Sequence, residues 1–178
     1  MTCNKFVLTL FVIFLSLNSI KVFAEIDYTK LSADEYKKSA DDMFVKVFEK
    51  NLGTNTSQLE GKALGEYFIL TKINPLDYYS YVQIARIYDK RSAFVKAKHY
   101  YNTALNISPQ NPYVNFYAGE SNYLQKNYNE ALKYYNTAYK NGYSANLGLN
   151  QRLEEVYLKL GDEVQAKKFT SNINKIKK

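Results

Sequence analysis

The pentapeptide Tyr100-Tyr101-Asn102-Thr103-Ala104 recurs letter for letter as Tyr134-Tyr135-Asn136-Thr137-Ala138, 34 residues on. That interval is far longer than the period of a helix or a strand. A fixed period of about 20 to 50 residues marks a chain of stacked units, each unable to bury its apolar face alone. Four alanines extend the series: Ala63, Ala97, Ala131 and Ala166 stand 34, 34 and 35 residues apart. The repeat therefore runs from about Ala63 almost to the C-terminus.

Within one period, apolar residues recur at three- and four-residue steps and turn residues interrupt them, so each unit reads as a pair of helices. Asp77 is placed as the N-cap of a helix over about Tyr78 to Asp89, and its partner runs from about Ala93 to Ile107, before Pro109. Asn111 caps the next helix, with Pro112 at the first position, where a missing amide costs nothing. That helix is expected to end near Lys126 and its partner to cover about Asn129 to Asn141, with Gly142 as a left-handed C-terminal residue. The last pair spans about Ala145 to Leu160 and Asp162 to Ile176, with Gly161 between them.

Upstream, Ser32-Ala33-Asp34-Glu35 has the form of a capping box. Tyr36, Ala40, Met43, Phe44, Val47 and Phe48 then form one apolar stripe that ends near Asn51 and Gly53. Asn51 to Ser57 reads as a loop, and a second helix buries Leu59, Ala63, Tyr67 and Leu70 before Pro75 stops it. No segment alternates with period two over a useful length, so the expected class is all-α.

Residues 1–24 read as a targeting segment: Lys5, an apolar run from Phe6 to Leu17, and Val22-Phe23-Ala24 as a cleavage site. The run is short for a membrane-spanning helix, which needs about 20 apolar residues. Cleavage after Ala24 is expected, an uncleaved N-terminal anchor being the alternative. Cys3, the single cysteine, precedes the apolar run, so no lipid anchor follows it, and the mature chain holds no thiol for a disulfide, metal or nucleophile. Removing Lys5 and Lys21 leaves 22 bases facing 17 acids, so the net charge falls from +7 to +5. Apart from the Lys-rich end at Lys167, Lys168, Lys175, Lys177 and Lys178, the bases are dispersed, whereas nucleic-acid binding calls for a basic stripe on one face.

These residues resemble the tetratricopeptide repeat family, whose outline is W-x2-L-G-x2-Y, A-x3-F and P. Tyr81, Ile84, Ala85 and Tyr88 match the first helix of the best repeat, and Ala97, Tyr101, Ala104 and Pro109 match the remainder. In the next, Ala118 and Gly119 match the L-G pair and Ala131, Tyr135 and Ala138 the second helix, while Asn115, Asn122 and Tyr143 depart from the outline. The third keeps Leu153, Tyr157, Gly161 and Ala166 but has Thr170 in place of an aromatic. The resemblance implies a right-handed α-solenoid of stacked hairpins: a degenerate N-terminal hairpin at 25–76, then three repeats at about 77–110, 111–144 and 145–178.

Few residues in the chain point to chemistry. His99 is the only histidine, there is no phosphate-binding G-x-x-x-x-G-K, and metal ligands of suitable type and spacing are lacking. Asp41-Asp42 and Glu154-Glu155 are helical neighbours that point about 100° apart and read as solvated faces. No catalysis, cofactor or metal is expected. In the resembling family the first helix of each hairpin lines a concave face. That implies ligand contacts at Tyr79, Val82, Arg86 and Asp89, then Tyr113, Phe116, Glu120 and Tyr123, then Gln151, Glu155 and Leu158. Some relatives grip a C-terminal carboxylate there, but only Arg86 and Arg152 among Val82, Arg86, Tyr117, Gly148 and Arg152 are basic, so that clamp does not carry over. The expected function is a periplasmic or secreted bacterial adaptor that binds protein or peptide partners of the cell envelope and has no catalysis of its own. A self-associating structural protein and a cell-wall-polymer-binding subunit are the alternatives.

Overall fold

A computed structural model describes residues 31–48 and 56–177. Among them are eight α-helices and no strand: α1 Ala33–Phe48, α2 Thr56–Ile73, α3 Tyr78–Lys90, α4 Phe94–Ile107, α5 Pro112–Leu124, α6 Tyr128–Ala138, α7 Leu147–Lys159 and α8 Glu163–Ile176. Consecutive helices pair into four hairpins, and successive hairpins stack through α2–α3, α4–α5 and α6–α7, with α3 also packed on α5. The result is an α-solenoid. The expected targeting segment with Cys3, residues 25–30 and 49–55, and Lys178 lie outside the described residues. The rest of the expected loop is helical, because α2 begins at Thr56.

Local chemistry sets the helix starts. Ser32 and Glu35 form the reciprocal pair of a capping box, the Ser32 amide donating to Glu35 Oε2 at 2.7 Å and the Glu35 amide to Ser32 Oγ at 3.3 Å. Asp77, Asn111 and Asn146, one per regular repeat, each accept first-turn amides with their side chains. Two helices end earlier than the sequence suggests. α5 stops at Leu124, and α6 at Ala138, where one wider turn over Tyr139–Tyr143 places Gly142 at φ 119°.

The turns inside the three regular hairpins share one bond pattern. The amides of Ala93, Asn127 and Asp162 donate to the carbonyls of Tyr88, Asn122 and Tyr157, each at 2.9 Å. One residue earlier, Ser92, Lys126 and Gly161 donate to Asp89, Tyr123 and Leu158. This double bond pattern is the Schellman motif, which needs a left-handed residue just beyond the helix. Ser92, Lys126 and Gly161 sit there at φ 55°, 62° and 80°, and only the third is glycine. Ser92→Gly and Lys126→Gly should therefore each raise the unfolding free energy by roughly 0.5–1 kcal/mol, read as a higher denaturant midpoint at unchanged slope.

Burial follows the repeat. One cluster joins the first hairpin to α3 through Tyr36, Phe44, Tyr67, Ile84 and Ile87. A second joins α3, α4 and α5 through Val82, Ala85, Tyr101, Val114 and Ala118, and a third joins α6, α7 and α8 through Tyr135, Leu149, Leu153, Val156 and Phe169. Tyr101, Ala104, Tyr135 and Ala138 of the twin pentapeptides all lie in these clusters. The departure at Asn115 has a structural purpose. Its amide donates to the carbonyls of Pro109 at 2.8 Å and Asn111 at 2.9 Å, and Asn150 repeats this with Ser144 and Asn146. Each buried Asn thus ties down the turn that leads into its own helix.

Candidate binding face

The first helices of the hairpins present a continuous polar and aromatic face. On α1, Asp41 accepts from Lys37 Nζ at 2.5 Å, from the Tyr67 hydroxyl at 2.7 Å and from the Tyr79 hydroxyl at 3.0 Å. Gln83 Nε2 donates to the Tyr79 oxygen at 2.7 Å, and Arg86 Nη1 donates to Gln83 Oε1 at 2.9 Å. The Arg86 guanidinium lies 4.0 Å from the Tyr117 ring centroid, 4.5 Å from that of Phe44 and 5.2 Å from that of Phe48. Tyr79 stacks on Tyr113 across α3 and α5 at 5.6 Å, and Tyr113 meets Tyr117 edge-on at 4.8 Å. Burial pushes the Tyr113 phenol up, with Arg86 opposing it, so the ring row stays uncharged at neutral pH.

A second network spans α5 and α7. Arg152 donates from Nε to Glu120 at 2.8 Å and from Nη1 to Glu155 at 3.0 Å, and its guanidinium lies 4.7 Å from the Tyr123 ring centroid. The Tyr135 hydroxyl donates to Glu120 and the Tyr123 hydroxyl to Glu155. That Tyr123 bond, with help from Arg152, holds Glu155 below the usual carboxylate range, while burial and Glu155 push Tyr123 up to about 12. Neither Asp41 nor Glu155 is a simply solvated acid. Each fixes the phenols of this face.

Tyr79, Arg86, Tyr113, Phe116, Glu120 and Tyr123 are half-buried on or beside the face, and Gln151 is exposed. Val82 and Asp89 do not belong to it, which corrects the sequence expectation. Val82 is 0 % exposed and packs in the cluster with Val114 and Ala118, while Asp89 is 8 % exposed and accepts from Tyr101 at 3.0 Å and Ser121 at 2.8 Å. The reason is helical phase: α5 rests on the side of α3 that carries both residues, so the half-buried positions are Tyr79 and Arg86, joined by the buried Gln83 that bonds to both. Phe116 belongs partly to the core, its ring 6.0 Å from that of Tyr135 and 6.3 Å from that of Tyr143. Lys37 and Asp41 were not expected beside the face, nor the buried Gln83 behind it. Their spacing to Tyr79 and Arg86 becomes meaningful only once α1 and α3 are docked.

His99 is exposed, with its ring 5.0 Å from that of Tyr100. Among the described residues no group of three or more His, Cys, Asp or Glu side chains is arranged to hold a metal, and no helix is long and apolar enough to cross a membrane.

No protein-family model and no curated protein matches this chain in sequence. Its fold matches solved structures. A crystal structure of MamA superposes with a TM-score of 0.61 at 11% identity, covering 82% of this chain and 86% of that one. Residues 41 to the end of MamA from Desulfovibrio magneticus RS-1 give 0.59 at 12% identity, with 82% and 79% covered. PilF of Pseudomonas aeruginosa gives 0.64 at 19% identity, with 79% of this chain and 62% of PilF covered. Both proteins are built from tetratricopeptide repeats, and this chain has the tetratricopeptide repeat fold.

Proposed function

We propose that this chain is an exported, non-catalytic adaptor that holds a peptide segment or helix of a cell-envelope protein against the face of α3, α5 and α7. The observation that carries this is the half-buried row of Tyr79, Tyr113 and Tyr117, stacked across two hairpins beside a guanidinium. Rigid aromatic rings with an arginine among them suit partner recognition, since they give contact area at little entropic cost and orient it by hydrogen bonds. The targeting segment at residues 1–24 supports export.

End-to-end self-assembly fits less well. Lys167, Lys168, Thr170, Ser171, Asn174 and Lys175 are exposed on α8, which gives the last helix the polar outer face of a capping repeat. A photo-crosslinking amino acid at position 113 or 117 in intact cells should trap a defined protein that fractionates with the envelope. The same probe at Lys98, exposed on α4, should not. Capture from position 98 alone would move the binding surface to the other side of the solenoid.

A further inference from the structure

We propose that Arg86 is the specificity-determining contact of this face and that it takes a side-chain carboxylate of the bound segment, flanked there by an aromatic or aliphatic residue. The inference rests on the reading of the face as a peptide-binding surface. Three cations belong to the two networks, and two of them are neutralised: Lys37 by Asp41 at 2.5 Å, and Arg152 by Glu120 and Glu155. Among the described residues no carboxylate lies within ion-pair distance of Arg86. Asp89, one turn along the same helix, feels the Arg86 charge, but it is buried, accepts the Tyr101 and Ser121 hydroxyls and makes no ion pair with the guanidinium.

The rings of Tyr117, Phe44 and Phe48 pack around the guanidinium and strip part of its water. Their faces attract the cation but offer its N–H groups no acceptor in the guanidinium plane. One donor is spent on Gln83 Oε1, and the Tyr113 phenol oxygen draws on the guanidinium as well. The rest of the planar fork matches a carboxylate, and a charge-assisted bond in such partly dry surroundings is stronger than in open water. The same rings give an apolar neighbour of that acid something to pack on. A single cation suits a single negative charge, whereas phosphate-recognising surfaces cluster several arginines. Glu120 and Glu155 further along the face repel a more highly charged ligand.

The test is selection of a displayed library of random peptides, joined to the carrier through their C-termini so that any selected carboxylate is a side chain. Wild-type protein should enrich peptides with Asp or Glu beside an apolar residue. For a synthetic peptide of the most enriched sequence, Arg86→Gln should weaken binding roughly 10- to 100-fold. Replacing the peptide's acid by its amide should do the same, and the two changes together should cost little more than either alone. Arg86→Lys keeps the charge without the fork and should fall between, with helicity by circular dichroism confirming that each variant folds. Peptides enriched without an acid, yet lost with Tyr113→Ala, would overturn the role of Arg86 and leave the binding face standing. No enrichment, or enrichment indifferent to Tyr113→Ala, would overturn the face itself and this proposal with it.

Discussion

Gly119→Ala should cost about 2 kcal/mol of folding stability, the overpacking penalty outweighing alanine's better helix propensity. A Cβ at Gly119 would stand 2.5 Å from Cδ1 and Cε1 of Tyr135 and 3.2 Å from its Cζ. The Tyr135 ring has no room to give, being 0 % exposed, bonded through its hydroxyl to Glu120 and packed near Phe116. Gly61, in the middle of α2, is the built-in control, because a Cβ there meets nothing within 4 Å. Gly61→Ala should stabilise by roughly 0.5–1 kcal/mol. The cause is separable from a general intolerance of α5. Tyr135→Leu removes the ring atoms that collide, so in that background Gly119→Ala should be nearly neutral, a coupling of more than about 1 kcal/mol. Additive losses in urea unfolding of the four-variant cycle would show that the collision is not the cause.

That pair also shows why the fold is legible in the residues alone. Gly119 and Tyr135 both fall on the repeat outline, one permitting close approach and the other filling the gap, and the 34-residue interval places them on partner helices. The caps Asp77 and Asn111, with Pro112, are readable for the same reason: their chemistry is local. Asn115 and Asn150 are not readable that way. A buried Asn is favourable there because its amide reaches carbonyls four and six residues back, a turn geometry that no apolar periodicity announces. The left-handed positions at Ser92 and Lys126 escape notice because neither is glycine, although Gly161 marks the equivalent place.

The candidate face is half legible. Helical spacing from Tyr79 leads to Arg86, which the structure leaves half-buried beside it, but the same spacing admits Val82, and only the docking of α5 shows that Val82 is covered. The same ambiguity one turn later puts Asp89 inside. Lys37 and Asp41 come from a hairpin whose first helix lies outside the regular period, so no repeat alignment brings them to Tyr79. Aromatic composition could not discriminate either. Position in the repeat does: Tyr135 falls on the outline and packs in the core, whereas Tyr113 lies off it and stacks on Tyr79 across α3 and α5.

The misplaced Asp89 yields the second large effect, a pH-dependent one. Burial raises its carboxyl from an ordinary 3.8 to about 6, although the Ser121 and Tyr101 hydroxyls and Arg86 favour the ionised form. The folded state therefore keeps this proton over a range in which the unfolded chain has lost it. Its contribution to stability is fully present below about pH 3.8 and is lost as pH rises through about 6. Asp89→Asn imitates the protonated acid, since its oxygen accepts one hydroxyl and its amide can donate to the other. Relative to this variant, the wild-type unfolding free energy should fall by up to about 3 kcal/mol between pH 4 and pH 7. Glu66, also raised, and Glu60 and Glu155, both lowered, titrate equally in the two proteins and cancel in the comparison. Arg86 and Glu120 face the same carboxyl with opposite charge, so Glu120→Gln should lower the midpoint of the transition and Arg86→Gln should raise it. A difference between wild type and Asp89→Asn that stays flat from pH 4 to 7 in parallel urea titrations would mean that the carboxyl at the α3–α4–α5 junction is ionised throughout. The two hydroxyls would then outweigh burial.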